Sequence, residues 1–224
     1  MALLKSRKTL IVIWFMLAAG AVLALYPRAN EIAQDRRELK LLAEWADTVG
    51  NRPRPIQPAD ASTAASANDS RRLDRPEWTV VDGLQLLGTL RIDKIGLEEP
   101  IVRGSDAKAL KRGAGTVVEG PLPGEPGNFV LAGHRSLTFG RHFNRLAELK
   151  AGDEIVVETS AGPARYKVST TSIVSPDDLT VLDNDGATSE LTLITCHPRK
   201  NPTHRLIVKA ILVNSIEKEE KPSV

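Results

Sequence analysis

A thiol, a histidine and an arginine are the residues of this chain whose types and spacing could do chemistry together. Cys196 is the only cysteine among 224 residues. It ends the apolar, β-favouring run LTLIT, inside the stretch LTLITCHPRKNPTHR at 191–205. A polar loop with two prolines follows, and Arg205 then opens a second such run, RLIVKAILV. Two β-favouring runs joined by a short polar loop read as an antiparallel pair of strands. That pairing puts Cys196 and Arg205 at the same end of a sheet. A neighbouring cation favours the thiolate, the nucleophilic form of cysteine. His134, one of four histidines, ends another apolar run in NFVLAGHRS. Cysteine and histidine far apart in sequence and joined in space are the usual arrangement for thiol acyl transfer. A lone cysteine is more often a small buried hydrophobe, so the set points to a nucleophile and Cys196 alone does not.

The elements that must hold these residues are mostly strands. LLGTLRID (86–93) and LEEPIV (97–102) flank a turn at Lys94-Ile95-Gly96. SDAKALKRG (105–113) suits a short helix, capped by Ser105 or Asp106 and ended by Gly113. TVVEG (116–120) is a short strand or loop, PLPGEPGN (121–128) a loop by composition, and NFVLAG (128–133) a buried strand. FGRHFNRLAELKAGD (139–153) predicts a helix and turn, with Phe143, Leu146 and Leu149 on one face and His142 in solvent. DEIVVET (153–159) and ARYKVSTTSIV (164–174) alternate like strands on either side of a turn at 160–163. LTVLDND (179–185) is a connection. The expected fold is mainly β, with about eight short strands and two or so short helices. A closed barrel is the economical solution, because closure removes exposed strand edges.

The rest of the chain divides by composition. Residues 1–8 form a basic tail carrying Lys5, Arg7 and Lys8. Residues 9–26, TLIVIWFMLAAGAVLALY, hold no charge and are near the lower length limit for a membrane helix. The basic flank places the N-terminus in the cytoplasm and the remainder outside the cell membrane, as a single-pass protein. A cleavable signal peptide is the competing reading, and the run is longer than a typical signal core. Residues 27–49 read as a juxtamembrane helix in which Trp45 is either packed or exposed. Residues 50–77, rich in Pro, Ala, Ser and Asn, read as a flexible linker. The folded domain spans 78–216, and a charged tail fills 217–224. A net charge of +2 gives no reason to expect nucleic acid.

Three motifs taken together, LAGHR at 131–135, TLITC at 192–196 and Arg205 ahead of an apolar strand, resemble the sortases. These are membrane-bound cysteine transpeptidases of the bacterial surface, and the resemblance covers about residues 86 to 213. It implies an eight-stranded sortase-type barrel, in agreement with the strand reading. It implies that Cys196 attacks the threonine carbonyl of a sorting signal similar to LPxTG, and that an amine resolves the thioester. The partners implied are surface proteins bearing that signal and an amine acceptor such as cell-wall precursor. His134 takes the general acid/base role. Arg205 stabilises an oxyanion, holds substrate backbone, or favours the thiolate; Arg135 and Arg199 are its rivals. Thr195 matches a position associated with the oxyanion site, and His197 shapes the pocket rim. The absence of a second apolar span or of an Asp-Pro-Trp lid points to a housekeeping or class D/E type rather than a pilin-polymerising one.

No cofactor is expected. Cys196, His197 and His204 match no common zinc spacing. Loop carboxylates Glu119, Glu125, Asp183 and Asp185 form no EF-hand-like series, so loop calcium is unsupported. Two alternatives remain open from sequence: a membrane-anchored cysteine peptidase that uses water, and a non-enzymatic surface binding module.

Overall fold

The computed structural model describes residues 7–50, 75–137 and 142–213. The expected tail at 217–224, residues 1–6 of the basic tail and residues 51–74 of the linker lie outside them. A long helix, α1 (Arg7–Gly50), precedes nine strands: β1 (Thr79–Val81), β2 (Leu84–Ile92), β3 (Leu97–Val102), β4 (Ala114–Thr116), β5 (Gly127–Ala132), β6 (Glu154–Thr159), β7 (Gly162–Val174), β8 (Ser189–His197) and β9 (His204–Leu212). Three short 3₁₀ helices lie at Asp93–Ile95, His142–Glu148 and Leu179–Leu182.

The chain divides into two units, at Lys40/Leu41. In the first, α1 exposes Ile11, Trp14, Phe15, Leu23 and Tyr26. No helix among the described residues is long and apolar enough to cross a membrane. In the second, Leu41 and Trp45 of α1 pack on Val81, Leu84, Leu86 and Val102. This answers the question the sequence left open at Trp45.

The strands are hydrogen-bonded in the order β1-β2-β3-β4-β5-β8-β9-β7-β6, and β6 pairs back to β2. Eight strands therefore close a barrel, and β1 lies outside the ring as an extra strand on β2. The β1–β2 hairpin turns through Asp82 (φ 48°) and Gly83 (φ 71°). Two central residues at positive φ are what a tight hairpin of this hand demands, and Asp-Gly supplies them. Alternation along each strand fills the interior. Leu90, Ile92, Leu131, Ile155, Val157, Leu191, Leu193, Leu206 and Val208 belong to one buried cluster. Tyr166 is fully buried in the same cluster, and its hydroxyl accepts from the Gly124 N–H at 2.9 Å.

Two local expectations change. Residues 105–113 form turns rather than a helix. Asp106 does cap the segment, accepting from the Lys108 and Ala109 N–H groups at 2.8 Å. The run is too short to repay helix nucleation once that bond is made. The segment at 142–148 is a 3₁₀ helix with Phe143, Leu146 and the following Leu149 buried as expected; residues 138–141 lie outside the described set.

Candidate active site

Three neighbouring strands bring the chemistry-bearing residues to one end of the barrel. β5 and β8 run parallel, with Leu131 opposite Leu193 and Ala132 opposite Ile194. The pairing continues past the end of β5, where the Gly133 N–H donates to the Ile194 carbonyl at 3.0 Å. Thr195, 2% exposed, donates from Oγ1 to the Gly133 carbonyl at 2.8 Å. Two residues beyond Ala132 on one strand and beyond Ile194 on the other stand His134 and Cys196. On the far side of β8, the antiparallel register sets Cys196 directly opposite Arg205 of β9. The level thus reads His134, Cys196, Arg205 across three adjacent strands.

Alternation fixes the face. Leu191, Leu193, Leu206 and Val208 point into the barrel. Cys196 and Arg205 are out of phase with them and project from the outer surface. His134 is likewise out of phase with Phe129 and Leu131, and it is exposed. Cys196 is half-buried. Arg205 donates only to the carbonyl of its neighbour His204, at 3.1 Å, among the described residues.

Beneath His134 the barrel mouth is closed by the 142–148 helix. The Phe143 N–H donates to the His134 carbonyl at 3.0 Å. A Cβ on Gly133 would meet the Phe143 ring at 2.7–2.8 Å, so only glycine fits beside that ring. His142 corrects the expectation of a solvated histidine. Its Nδ1 lies 2.8 Å from Oε1 of Glu99, with side-chain exposures of 11% and 3%. His142 is held at φ 47°, a left-handed backbone that a non-glycine residue adopts at a cost. This pair sits close enough to act on His134. Partial burial of the His134 ring holds its pKa below the usual histidine value, and the His142 and Lys111 charges push the same way while Glu99 opposes them. A lowered pKa favours the neutral imidazole, the form that accepts a proton.

Arg135 turns to the other face. Its Nη1 donates to Nδ1 of His197 at 2.8 Å and to the Cys196 carbonyl at 3.2 Å. The parallel register explains the meeting, since Arg135 and His197 are one step beyond His134 and Cys196. Sequence reasoning placed His197 at the rim and did not see this contact. The signal was available in the equal offset of GHR and TCH from their paired strands. Arg199, the third arginine considered, reaches Oδ1 of Asn144 at 3.4 Å.

Three of the four loop carboxylates weighed for calcium, all but Asp183, have other partners. Glu119 takes a two-point contact from Arg103, at 2.9 and 2.8 Å. Glu125 accepts from Arg75 and from the Leu122 N–H. Asp185 accepts from the Ala187 and Thr188 N–H groups. An arginine on Nδ1 of His197 also removes that nitrogen as a zinc ligand.

Comparison with known proteins decides the family. The family model of the sortase domain matches residues 90–213. The chain is 33% identical to sortase D of Bacillus subtilis, over 82% of this chain and 87% of the relative.

The chain belongs to the sortase family.

Sortase A of Bacillus anthracis is 35% identical over 67% of this chain and 73% of its own length. Among solved structures, the Clostridium perfringens sortase D5 transpeptidase superposes with a TM-score of 0.59 at 27% identity, covering 80% of this chain and 99% of that one. The expected eight-stranded sortase barrel is thus present, and the protein is a sortase-type cysteine transpeptidase. Sortases act on substrates bearing a sorting signal.

Proposed function

We propose that this sortase joins surface proteins carrying a C-terminal LPxTG-like signal to an amine acceptor, through a thioester on Cys196. The observation that carries the reading is the level of His134, Cys196 and Arg205 across β5, β8 and β9. The Cys196 sulfur adds to the threonine carbonyl carbon, and its proton passes to His134. The tetrahedral oxyanion collapses, the carbon–nitrogen bond breaks, and His134 returns the proton to the leaving amine. The acceptor amine then gives a proton to His134 and attacks the thioester, the carbon–sulfur bond breaks, and His134 passes that proton to the departing Cys196 sulfur. Arg205 has no carboxylate partner among the described residues, which leaves its N–H groups for the oxyanion or the substrate backbone. Thr195 fixes the spacing of β5 and β8 beneath the reacting pair rather than facing substrate.

The signal peptide would lie on the outer face beside Cys196, over Ile194 and Ala132. One wall is the Leu179–Leu182 segment, which Asn128 holds across β5 through Nδ2 bonds to the Val181 and Leu182 carbonyls, both 3.1 Å. Leu179 is exposed there and offers apolar contact. The acceptor is a cell-wall precursor amine, in a housekeeping or class D/E role; the relatives above 30% identity that support this are called sortase A and sortase D.

The apolar run at 9–26 is read as an anchor that leaves the barrel outside the cell, with the N-terminus in the cytoplasm. Alkaline washing of membranes from cells making the whole chain should leave it in the pellet. A chain lacking residues 1–26 that behaves identically would remove the anchor reading.

The deciding assay incubates the protein with fluorogenic LPxTG-like peptides, with and without triglycine, beside Cys196→Ala. A cysteine-dependent triglycine adduct supports the reading. Acid product alone, unaffected by amine, replaces it with a peptidase. Cleavage that survives Cys196→Ala overturns the thioester.

A further inference from the structure

Charge is distributed unevenly over the barrel. Arg75, Arg91, Arg103, Arg112, Arg145 and Arg165 each meet a carboxylate. Arg135, Arg199 and Arg205 have no carboxylate partner among the described residues. All three of these stand at the end of the barrel that carries Cys196. The sequence shows why, since residues 126–147 and 191–213 contain no Asp or Glu.

The reaction accounts for only part of this. Arg205 faces the thiol across β8 and β9, and Arg135 is tied to Nδ1 of His197 and to the Cys196 carbonyl. Neither reason covers the loop between β8 and β9. Residues 198–203 there are exposed throughout. Arg199 reaches only Oδ1 of Asn144, at 3.4 Å, and Lys200 has no partner among the described residues. Arg199 adds to burial in lowering the Arg135 pKa, and the exposed Lys111 adds to burial and His142 in lowering that of His134. Both cations therefore lie beside the site. Cations gathered without counter-charge repel one another and work against the compact state. Leu137, 63% exposed, follows Arg135 and Ser136 at the same end. Cations around an exposed apolar side chain are the composition of a surface that settles on anionic headgroups. The loop after β7 reaches this end too and brings Asp177 and Asp178, of which Asp178 accepts from the Thr180 N–H. The positive side is therefore that of β5 and the β8–β9 loop.

We propose that this end of the barrel docks on an anionic phospholipid surface, with Arg199, Lys200 and Lys111 against the phosphates and Leu137 at the headgroup level. The inference deepens the reading of residues 9–26 as an anchor and rests on it only for how the chain reaches the membrane. The anchor brings the barrel to the membrane, and the cationic end decides which side of the barrel faces it. Docking then holds the level of Cys196 close to the lipid.

The experiment uses the whole chain in vesicles of phosphatidylcholine, with or without about one third phosphatidylglycerol. Cys196 is the only thiol, so a fluorophore attached to it reports this end without any substitution. A lipid with a nitroxide on its headgroup, present in both vesicles, quenches the fluorophore only at close range. Quenching is expected with phosphatidylglycerol and not with phosphatidylcholine alone. It should be lost in about 1 M salt, which screens charges beyond about 3 Å. Each cation near an anionic surface favours the docked state about five-fold, so Arg199→Gln with Lys200→Gln should weaken docking roughly thirty-fold. Lys200→Glu, which has no bond to lose among the described residues, repeats the test without a risk to folding. A fluorophore on Ala161→Cys, in a Cys196→Ala background, marks the exposed turn between β6 and β7 at the opposite end and should stay unquenched. Quenching that is equal on the two vesicles, equal at the two ends, or unchanged in the charge variants overturns the proposal. So does displacement by inorganic diphosphate but not by chloride of the same ionic strength, which would make the ligand a free phosphate rather than a lipid surface. Flotation with phosphatidylcholine vesicles tests the anchor separately. A chain that stays in solution there refutes the anchor, and quenching on the phosphatidylglycerol vesicles still decides the docking.

Discussion

Gly133 is the point where the site is least forgiving. A methyl group there would stand 2.7 Å from Cδ2 of Phe143 and 2.8 Å from both Cε2 and Cγ. Carbon atoms in contact prefer about 3.5–4.0 Å, so the ring must retreat by at least about 0.8 Å. Phe143 cannot swing into solvent, because it is fully buried and its N–H is bonded to the His134 carbonyl at 3.0 Å. Overpacking of this kind costs about 1–3 kcal/mol. At roughly 4 °C per kcal/mol for a domain of this size, Gly133→Ala should lower Tm by about 4–12 °C. Phe143→Ala removes Cγ, Cδ2 and Cε2, all three clashing atoms, and alone should cost about 3–5 kcal/mol. Combined with Gly133→Ala it should cost less than the sum by about 0.5–3 kcal/mol, since it removes the clash. Calorimetry and urea unfolding of the four proteins give the cycle. The displacement falls on His134 and leaves β8 in place. Alkylation of Cys196 should therefore persist in Gly133→Ala, while transfer falls about a hundred-fold, as expected for a catalytic group misplaced by about 1 Å. Additive costs, or a Gly133→Ala protein of native Tm, would refute the reasoning.

Further expectations concern the supports of the site and the barrel. The folded His134 pKa lies below the ordinary value of 6.5, so the unfolded chain takes up that proton first as pH falls. This stability contribution is full above about pH 6.5 and is lost on acidification towards the folded pKa; His134→Gln should flatten the fall in urea midpoint between about pH 7.5 and 5, and parallel curves would count against it. Tyr166→Phe leaves the Gly124 N–H without its acceptor and should cost about 1–2 kcal/mol, read by urea unfolding. Trp45→Ala should cost about 3–5 kcal/mol through lost packing on Leu84, Leu86 and Val102. Trp45→Phe should cost far less, because the buried indole N–H it removes has no partner among the described residues. Equal losses in the two Trp45 variants, measured in the same unfolding assay, would show that packing is not the main contribution.

Much of this arrangement was legible because the strands alternate and their ends carry the chemistry. The runs at 191–196 and 205–213 gave the antiparallel pair and with it Cys196 opposite Arg205. The barrel followed from many short strands that would otherwise leave exposed edges. The β1–β2 hairpin was within reach, since VVDGLQ holds an Asp-Gly turn between apolar residues, but three residues of β1 are too short a run to stand out. The helix expected at 105–113 rested on Ala, Lys and Leu propensities, which do not prevail over one side-chain cap in so short a segment. His142 was out of reach. Its burial depends on Glu99, forty-three residues away on β3, and no local pattern marks a histidine that will meet a distant carboxylate. Arg135 was readable only after β5 and β8 were known to be parallel, because that register alone carries Arg135 to His197.

The parallel pairing of β5 with β8 also orders events in the life of the chain. Parallel neighbours cannot be joined by a tight turn. Here the connection from Gly133 to Thr188 includes β6 and β7, which pair with β2 and β9. A ribosome delivers His134 sixty-two residues before Cys196, and β9 later still. The nucleophile therefore gains its flanking arginine only when the last strand is laid against β7 and β8. A chain lacking β9 would carry the thiol without Arg205 opposite it. Closing the ring and completing the site are one event, because β9 both joins β7 to β8 and supplies Arg205.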